Sequence, residues 1–128
     1  MKAIDPQSVH PPIGGAYTHA IELTGSEKLL FVSGQLGVTR EGQTLEDVDA
    51  QFDQAWANVS NILDQAGMDI SSIVKVTCFL AGLDYREPYL ASCERALGSH
   101  RPAMTAAIVE SLWSEEWFFE FDVIAAAA

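Results

Sequence analysis

Residues 48–67, VDAQFDQAWANVSNILDQAG, are the stretch that decides the fold. Their apolar side chains recur at steps of three and four residues, which places them on one face of an α-helix. This face comprises Val48, Phe52, Ala55, Val59, Ile62, Leu63 and Ala66. Thr44, with Asp47 three residues later, predicts a capping box at the start of the helix. Gly67 predicts its end, because glycine readily adopts the conformation that terminates helices.

Outward from this helix, the chain alternates between strands and one further helix. An irregular arm is followed by a predicted hairpin of two strands, 16–23 and 29–38, around the turn-like sequence TGSEK. Beyond the helix, apolar patterns predict a strand over 71–82, a helix over 86–98, and strands over 103–112 and 118–128. This order, β-β-α-β-α-β-β, indicates an α+β two-layer sandwich with both helices on one side of the sheet.

The last strand carries apolar side chains on both faces. Phe119, Phe121 and Val123 alternate with a second set that includes Phe118 and Ile124. Two helices can cover only one face of such a sheet, so the other face should be buried against another subunit. We therefore expect a homo-oligomer.

The composition is that of a single globular domain over residues 1–128, with 48% hydrophobic and 20% charged residues. A formal net charge of −11 disfavours nucleic acid and anionic membranes as partners. The N-terminal residues lack the apolar core of a signal peptide, which gives the expectation of a cytoplasmic protein. Cys78 and Cys93 are expected to be buried free thiols, because two cysteines make no disulfide framework.

Few residues have the spacing of a known chemical site. The histidines are scattered away from cysteine and carboxylate partners, so no metal site is expected. Four features remain, each with an ordinary structural alternative: Tyr17 as a strand aromatic, Ser33-Gly34-Gln35 as a turn or bulge, Arg101 as a charge at a helix end, and Glu120 as a solvent-facing strand residue.

Taken together, the motifs resemble those of the Rid (YjgF) family of reactive-intermediate deaminases. The resemblance covers nearly the whole chain and rests on IGGAYTHAI, LLFVSGQLG, QFDQAWANVSNILDQAGM, IVKVTCFLAGL, RPAMTAAIV and FFEFDVIAAAA. It implies a chorismate-mutase-like fold, with a mixed sheet and two helices on one face, assembled as a homotrimer with clefts between subunits. It also implies hydrolytic deamination of an enamine or imine to a keto compound and ammonia, with no cofactor and no metal.

The resemblance assigns roles to particular residues. Tyr17, Ser33 and Glu120 match the family's catalytic positions, with Glu120 positioning a water molecule. The residues expected to bind the substrate are Gly34, Arg101, Met104, Thr105 and Trp117, with Trp113 and Trp117 at the mouth of the cleft.

The chain departs from the family pattern at the position of a strand arginine that grips the substrate carboxylate. That position is Met104, and the cysteine two residues further on is replaced by Ala106. Arg101 could supply the missing cation, or it could be only a loop charge. The chain is therefore expected to act on a non-standard substrate, or alternatively to be a non-catalytic trimer that binds a metabolite in the same cleft.

Overall fold

The computed structural model describes residues 1–25 and 28–127. Within these ranges, six strands and two α-helices follow one another: β1 (Lys2–Ile4), β2 (Ala20–Glu22), β3 (Lys28–Gln35), α1 (Val48–Gln65), β4 (Ile73–Leu80), α2 (Arg86–Leu97), β5 (Ala103–Ile108) and β6 (Phe119–Ala127). The main sheet has the order β3-β6-β4-β5, in which only β4 and β5 run parallel. This mixed sheet with two helices confirms the predicted α+β class.

Helix α1 begins and ends close to the predicted positions, but its cap differs. Asp47 is the N-cap, and its carboxylate accepts a hydrogen bond from the backbone nitrogen of Ala50 at 3.0 Å. The predicted capping role of Thr44 is wrong, because Thr44 pairs with Val38 in an isolated bridge. Gly67 follows the helix with a φ of 73°, as a terminating glycine should.

The predicted hairpin is wrong. Within the described residues, β2 pairs with β1, a short strand in what the sequence indicated as an irregular arm, and β3 pairs with β6. β6 offers β3 a long antiparallel partner, which outweighs the proximity of 16–23 along the chain. Ser26 and Glu27, within the predicted TGSEK turn, lie outside the described residues, as does Ala128 at the end of the last predicted strand.

The main sheet has a covered face and an open face, which alternate residue by residue along each strand. On the covered face, the helices bury Phe119, Phe121 and Val123 of β6 together with Val76 and Cys78 of β4. Phe119 stacks on Phe52 of α1 with their ring centroids 3.9 Å apart. The open face carries Leu29, Phe31 and Ser33 of β3, Lys75, Thr77 and Phe79 of β4, Thr105 of β5, and Glu120, Asp122 and Ile124 of β6.

Candidate functional site

Ser33 and Gly34 lie at an irregularity in β3. The register of β3 against β6 shifts between Val32 and Gln35, which places one extra residue on β3. Ser33 is exposed and Gly34 is half-buried. The side chain of Gln35 turns back and donates a hydrogen bond from its Nε2 to the backbone oxygen of Ser33 at 3.1 Å. The bulge thus redirects β3 where it passes Glu120.

The carboxylate of Glu120 lies directly against Gly34. A Cβ atom built on residue 34 would come within 2.0 Å of Oε1 and 2.6 Å of Cδ of Glu120. No real side chain tolerates such distances, so this carboxylate position requires glycine at residue 34. Ser33, Gly34 and Glu120 therefore come together, and we call them the β3–β6 half-site.

Tyr17 lies in an arm that is attached to the edge strand β5. The backbone nitrogen of Thr18 donates to the oxygen of Pro102 at 2.9 Å, and Thr18 forms a parallel bridge with Ala103. The hydroxyl of Tyr17 accepts a hydrogen bond from the backbone nitrogen of Ile13 at 3.1 Å. Its ring meets the ring of His19 edge-on at 5.8 Å. The phenol is thus held beside β5.

Arg101 uses its guanidinium group to hold the backbone together. Its Nε donates to the oxygen of Gly15 at 2.9 Å, and its Nη1 donates to the oxygens of Gly98 at 2.6 Å and His100 at 3.0 Å. These bonds join the arm that carries Tyr17 to the end of α2. The arrangement favours a structural role, the second of the two interpretations that the sequence left open.

Met104 and Thr105 point to opposite faces of the sheet. Met104 is paired with Val76, so it points to the covered side, where it is half-buried against the core. Thr105 is paired with Thr77 on the open face, and its hydroxyl accepts a hydrogen bond from Nζ of Lys75 at 2.6 Å. Tyr17, Arg101 and Met104 lie on or next to the β5 edge, and we call them the β5-edge half-site.

The two tryptophans lie on the loop between β5 and β6. Trp113 is 94% exposed. Trp117 is half-buried and lines a cleft of about 280 Å³ together with Tyr85, Glu110 and Phe118. The rings of Tyr85 and Phe118 stack at 4.9 Å in the wall of this cleft. Trp117 therefore lines this cleft, and Trp113 does not.

The two half-sites do not meet within one chain. Thr18 is bridged to Ala103 at one corner of the sheet, whereas Glu120 lies in the row of Phe79 and Ala107. That separation is three strand spacings across the sheet and four residues along a strand, or about 20 Å for strands ~4.8 Å apart that rise ~3.3 Å per residue. No small substrate can span it in a single copy.

Two amides that the sequence did not single out, the buried Gln51 and the half-buried Asn58, hold the loops around the β3–β6 half-site. The Nε2 of Gln51 donates to the backbone oxygens of Leu45 and Glu116, and its Oε1 accepts from the nitrogen of Phe118. The Nδ2 of Asn58 donates to the oxygens of two residues that follow β3, Leu36 and Val38. In the sequence, each of these amides appears as a polar residue that borders the apolar face of α1.

Both cysteines are buried free thiols, as the sequence predicts. Burial raises the pKa of Cys93 to about 12 and also raises the pKa of Cys78. Neither group supplies a thiolate near neutral pH. Over residues 1–25 and 28–127, no three His, Cys, Asp or Glu side chains are grouped to hold a metal ion. No helix within the same ranges is long and apolar enough to cross a membrane.

Comparison with solved structures shows the class of fold. A Rid-family protein of Yersinia pestis, described as of unknown function, superposes with a TM-score of 0.87 over 98% of each chain at 21% identity. A protein described as a yeast Mmf1 superposes with a TM-score of 0.74 over 96% of each chain at 26% identity. The arrangement of the sheet and helices is therefore that of the Rid proteins.

Sequence comparison then shows the family. Residues 8–127 match the family described as Endoribonuclease L-PSP. The chain is 33% identical to the 2-iminobutanoate/2-iminopropanoate deaminase of Salmonella typhimurium, a match that spans 75% of this chain and 73% of that one. The chain belongs to this family, which is the Rid (YjgF) family that its motifs indicate.

Proposed function

We propose that the protein hydrolyses an imine or enamine to a carbonyl compound and ammonia, in a cleft that two copies of the chain share. The observation that carries this proposal is the placement of the Glu120 carboxylate against Gly34, on an open sheet face where a second chain can cover it. The similarity to a protein named as an imine deaminase supports the same chemistry.

The proposed reaction is simple and needs no redox partner. Glu120 holds a water molecule and removes its proton as the oxygen attacks the carbon of the C=N bond. This proton passes to nitrogen and gives a carbinolamine. Glu120 then carries the proton of the carbinolamine hydroxyl to nitrogen, the C–N bond breaks, and ammonia leaves as the carbonyl forms. An enamine first gains a proton on its β-carbon and loses one from nitrogen, which gives the imine. In sum, one imine and one water give one carbonyl compound and one ammonia. In this mechanism, the hydroxyl of Tyr17 forms a hydrogen bond with the nitrogen or with the departing ammonia.

The exposed apolar strips of the sheet support a ring-shaped assembly. The helices do not cover the far end of β5. Ala106 and Ile108, which point to the same side of the sheet as Met104, are therefore exposed. At the opposite edge, Leu29 and Phe31 of β3 are 49% and 71% exposed on the open side. These strips differ in position and face, so they fit a heterologous contact in which the β5 edge of one copy lies on β3 of the next.

Such a contact also joins the two half-sites. Met104 lies in the strip of β5, and Ser33 lies in line with Phe31 on β3. Seating the first strip on the second would bring Tyr17 of one copy towards Glu120 of the next. A heterologous contact that closes makes a ring, and three copies are the number that the family resemblance implies. We therefore include a homotrimer in the proposal.

The family description as an endoribonuclease finds no support in the charge of this chain. Proteins that bind RNA carry clustered Lys and Arg residues that neutralise phosphates. This chain has seven Lys and Arg residues against eighteen Asp and Glu residues. A small, uncharged or weakly charged substrate is the better fit.

Two substitutions in the β3–β6 half-site test the proposed function. Glu120→Gln removes the base, and Gly34→Ala puts a methyl group where the Glu120 carboxylate lies. We expect each to lower imine hydrolysis by about 100-fold or more, a range typical of a lost general base. Asp122→Asn is the matched control, because Asp122 is the next carboxylate on the same face of β6.

The measurement is the rate of carbonyl formation from an imine that an oxidase generates in the same cuvette, with assembly checked by light scattering. Asp122→Asn should keep most of the wild-type rate. If Glu120→Gln turns over as fast as the wild type while remaining assembled, Glu120 is not the base and the proposed mechanism fails.

A further inference from the structure

We infer that this site prefers a neutral imine or enamine over a 2-imino acid, which carries a carboxylate beside the C=N bond. The inference rests on the proposed function, and it concerns the substrate class of that same site. Its basis is the position of Arg101, Lys75 and Glu120 around the two half-sites. A substrate carboxylate would meet the Glu120 carboxylate in the cleft, whereas Arg101 donates to backbone oxygens and Lys75 donates to Thr105.

Arg101 is the cation of the β5-edge half-site. The Nε and Nη1 groups of Arg101 already donate to the backbone oxygens of Gly15, Gly98 and His100. Turning the guanidinium towards a substrate would break these bonds and release the arm that carries Tyr17. Arg101 is therefore poorly placed to replace a strand arginine.

The other cation near β5 is Lys75. It is half-buried on the open face, and its ammonium group donates to Thr105. Met104 alternates along β5 with Thr105, the hydrogen-bond partner of Lys75, so Met104 lies on the opposite side of the sheet from Lys75. In the copy that supplies Met104, the backbone of β5 thus stands between this ammonium and the cleft. In the copy that supplies Glu120, Lys75 shares the open face but lies four residues along β4 from Phe79, the partner of Glu120, which is about 13 Å along the strand.

The proposed cleft presents side chains of both half-sites. Met104 contributes a half-buried thioether side chain, and Ala106 follows it on the same side of β5. The β3–β6 half-site contributes the Glu120 carboxylate and the hydroxyl of Ser33. In a site of lowered dielectric, a substrate carboxylate near Glu120 is repelled, whereas an apolar substituent gains contact with Met104.

A matched pair of substrates tests this inference. Butan-2-imine and 2-iminobutanoate share one carbon skeleton. Beside the C=N bond, the first carries a methyl group where the second carries a carboxylate. An amine oxidase acting on butan-2-amine generates the first, and an amino-acid oxidase acting on 2-aminobutanoate generates the second. We expect the wild-type protein to accelerate hydrolysis of butan-2-imine at least about tenfold more than that of 2-iminobutanoate, the lower end of the effect of one charge-assisted contact.

Met104→Arg should change the preference. A guanidinium at residue 104 can grip a carboxylate with two parallel hydrogen bonds, so the ratio of the two rates should move towards 2-iminobutanoate by about 10- to 100-fold. Asn61→Arg adds the same charge at an exposed position of α1 and should leave the ratio unchanged. Equal or faster turnover of 2-iminobutanoate by the wild type, or an unchanged ratio in Met104→Arg, would overturn the inference.

A binding measurement separates this inference from the proposed function. Saturation-transfer NMR on the wild-type protein compares butan-2-one with 2-oxobutanoate, the two hydrolysis products. Preferential binding of butan-2-one supports the inference even if neither imine is hydrolysed, in which case only the proposed function fails. Preferential binding of 2-oxobutanoate overturns the inference whatever the rates show.

Discussion

The covered and open faces of the main sheet are built from alternate residues of the same strands, yet they differ in what completes them. On β6, Phe119 and Phe121 are fully buried by the helices of the same chain. Glu120 lies between these two residues in the sequence, and Asp122 follows Phe121. Both carboxylates remain half-buried on the open face. One chain is thus sufficient for the core, whereas the site that we propose would need a second chain.

Truncation of Phe119 tests the covered face. Phe119→Ala removes a ring that stacks on Phe52 at 3.9 Å and lies 5.6 Å from the ring of Phe121. We expect the free energy of unfolding to fall by about 3–5 kcal/mol, measured by urea denaturation. Phe119→Leu leaves a smaller cavity and should lose less, which gives a second point if the alanine variant does not fold. A loss below about 1 kcal/mol for Phe119→Ala would contradict the account of the core.

The second effect tests the open face. Phe31 is 71% exposed in a single chain, so Phe31→Glu should leave the fold of that chain intact. The same change should disrupt assembly, because a charge would be buried in the proposed contact. Light scattering should then report a species near the chain mass of 13.9 kDa.

Leu90→Glu is the matched control, because Leu90 is 47% exposed on the surface of α2. It should assemble like the wild type. An unchanged assembly in Phe31→Glu would show that this part of the open face is not a contact between copies.

The smallest effect concerns a polar group inside the covered face. The hydroxyl of Tyr89 is buried beside the Cys93 thiol and has no conventional hydrogen-bond partner in the described part of the chain. Sulfur is at best a weak acceptor. Tyr89→Phe should therefore raise the free energy of unfolding by about 1 kcal/mol, as measured by urea denaturation. A clear destabilisation would mean that the hydroxyl has a partner that matters.

The sequence predicts the covered face well because local periodicity encodes it. The steps of three and four in α1 identify the buried residues Phe52, Ala55, Val59 and Leu63, although Gln51 and Trp56 are also buried and lie outside the predicted face. The alternation of β6 identifies Phe119, Phe121 and Val123. Pairing between strands is less local. The hairpin prediction failed because β3 pairs with β6, which lies at the far end of the chain, and no periodicity specifies a distant partner.

The candidate site could be predicted only as a set of residues, without its geometry. Family motifs point to Tyr17, Ser33 and Glu120, but they do not say that a Cβ at Gly34 would overlap Glu120. Nor could the sequence show that Arg101 donates to three backbone oxygens. These contacts join residues far apart along the chain, so they follow from the fold and not from spacing.

Complementation between two variants tests whether one copy supplies Tyr17 and the next supplies Glu120. Tyr17→Ala and Glu120→Gln chains are each purified, unfolded together and refolded as mixed assemblies, and the rate of imine hydrolysis is measured. Each variant alone should be nearly inactive, whereas the mixture should regain roughly a quarter of the wild-type rate, the share of clefts in which random ring assembly unites both intact halves. A mixture that assembles yet stays as inactive as its components would contradict a site shared between two chains.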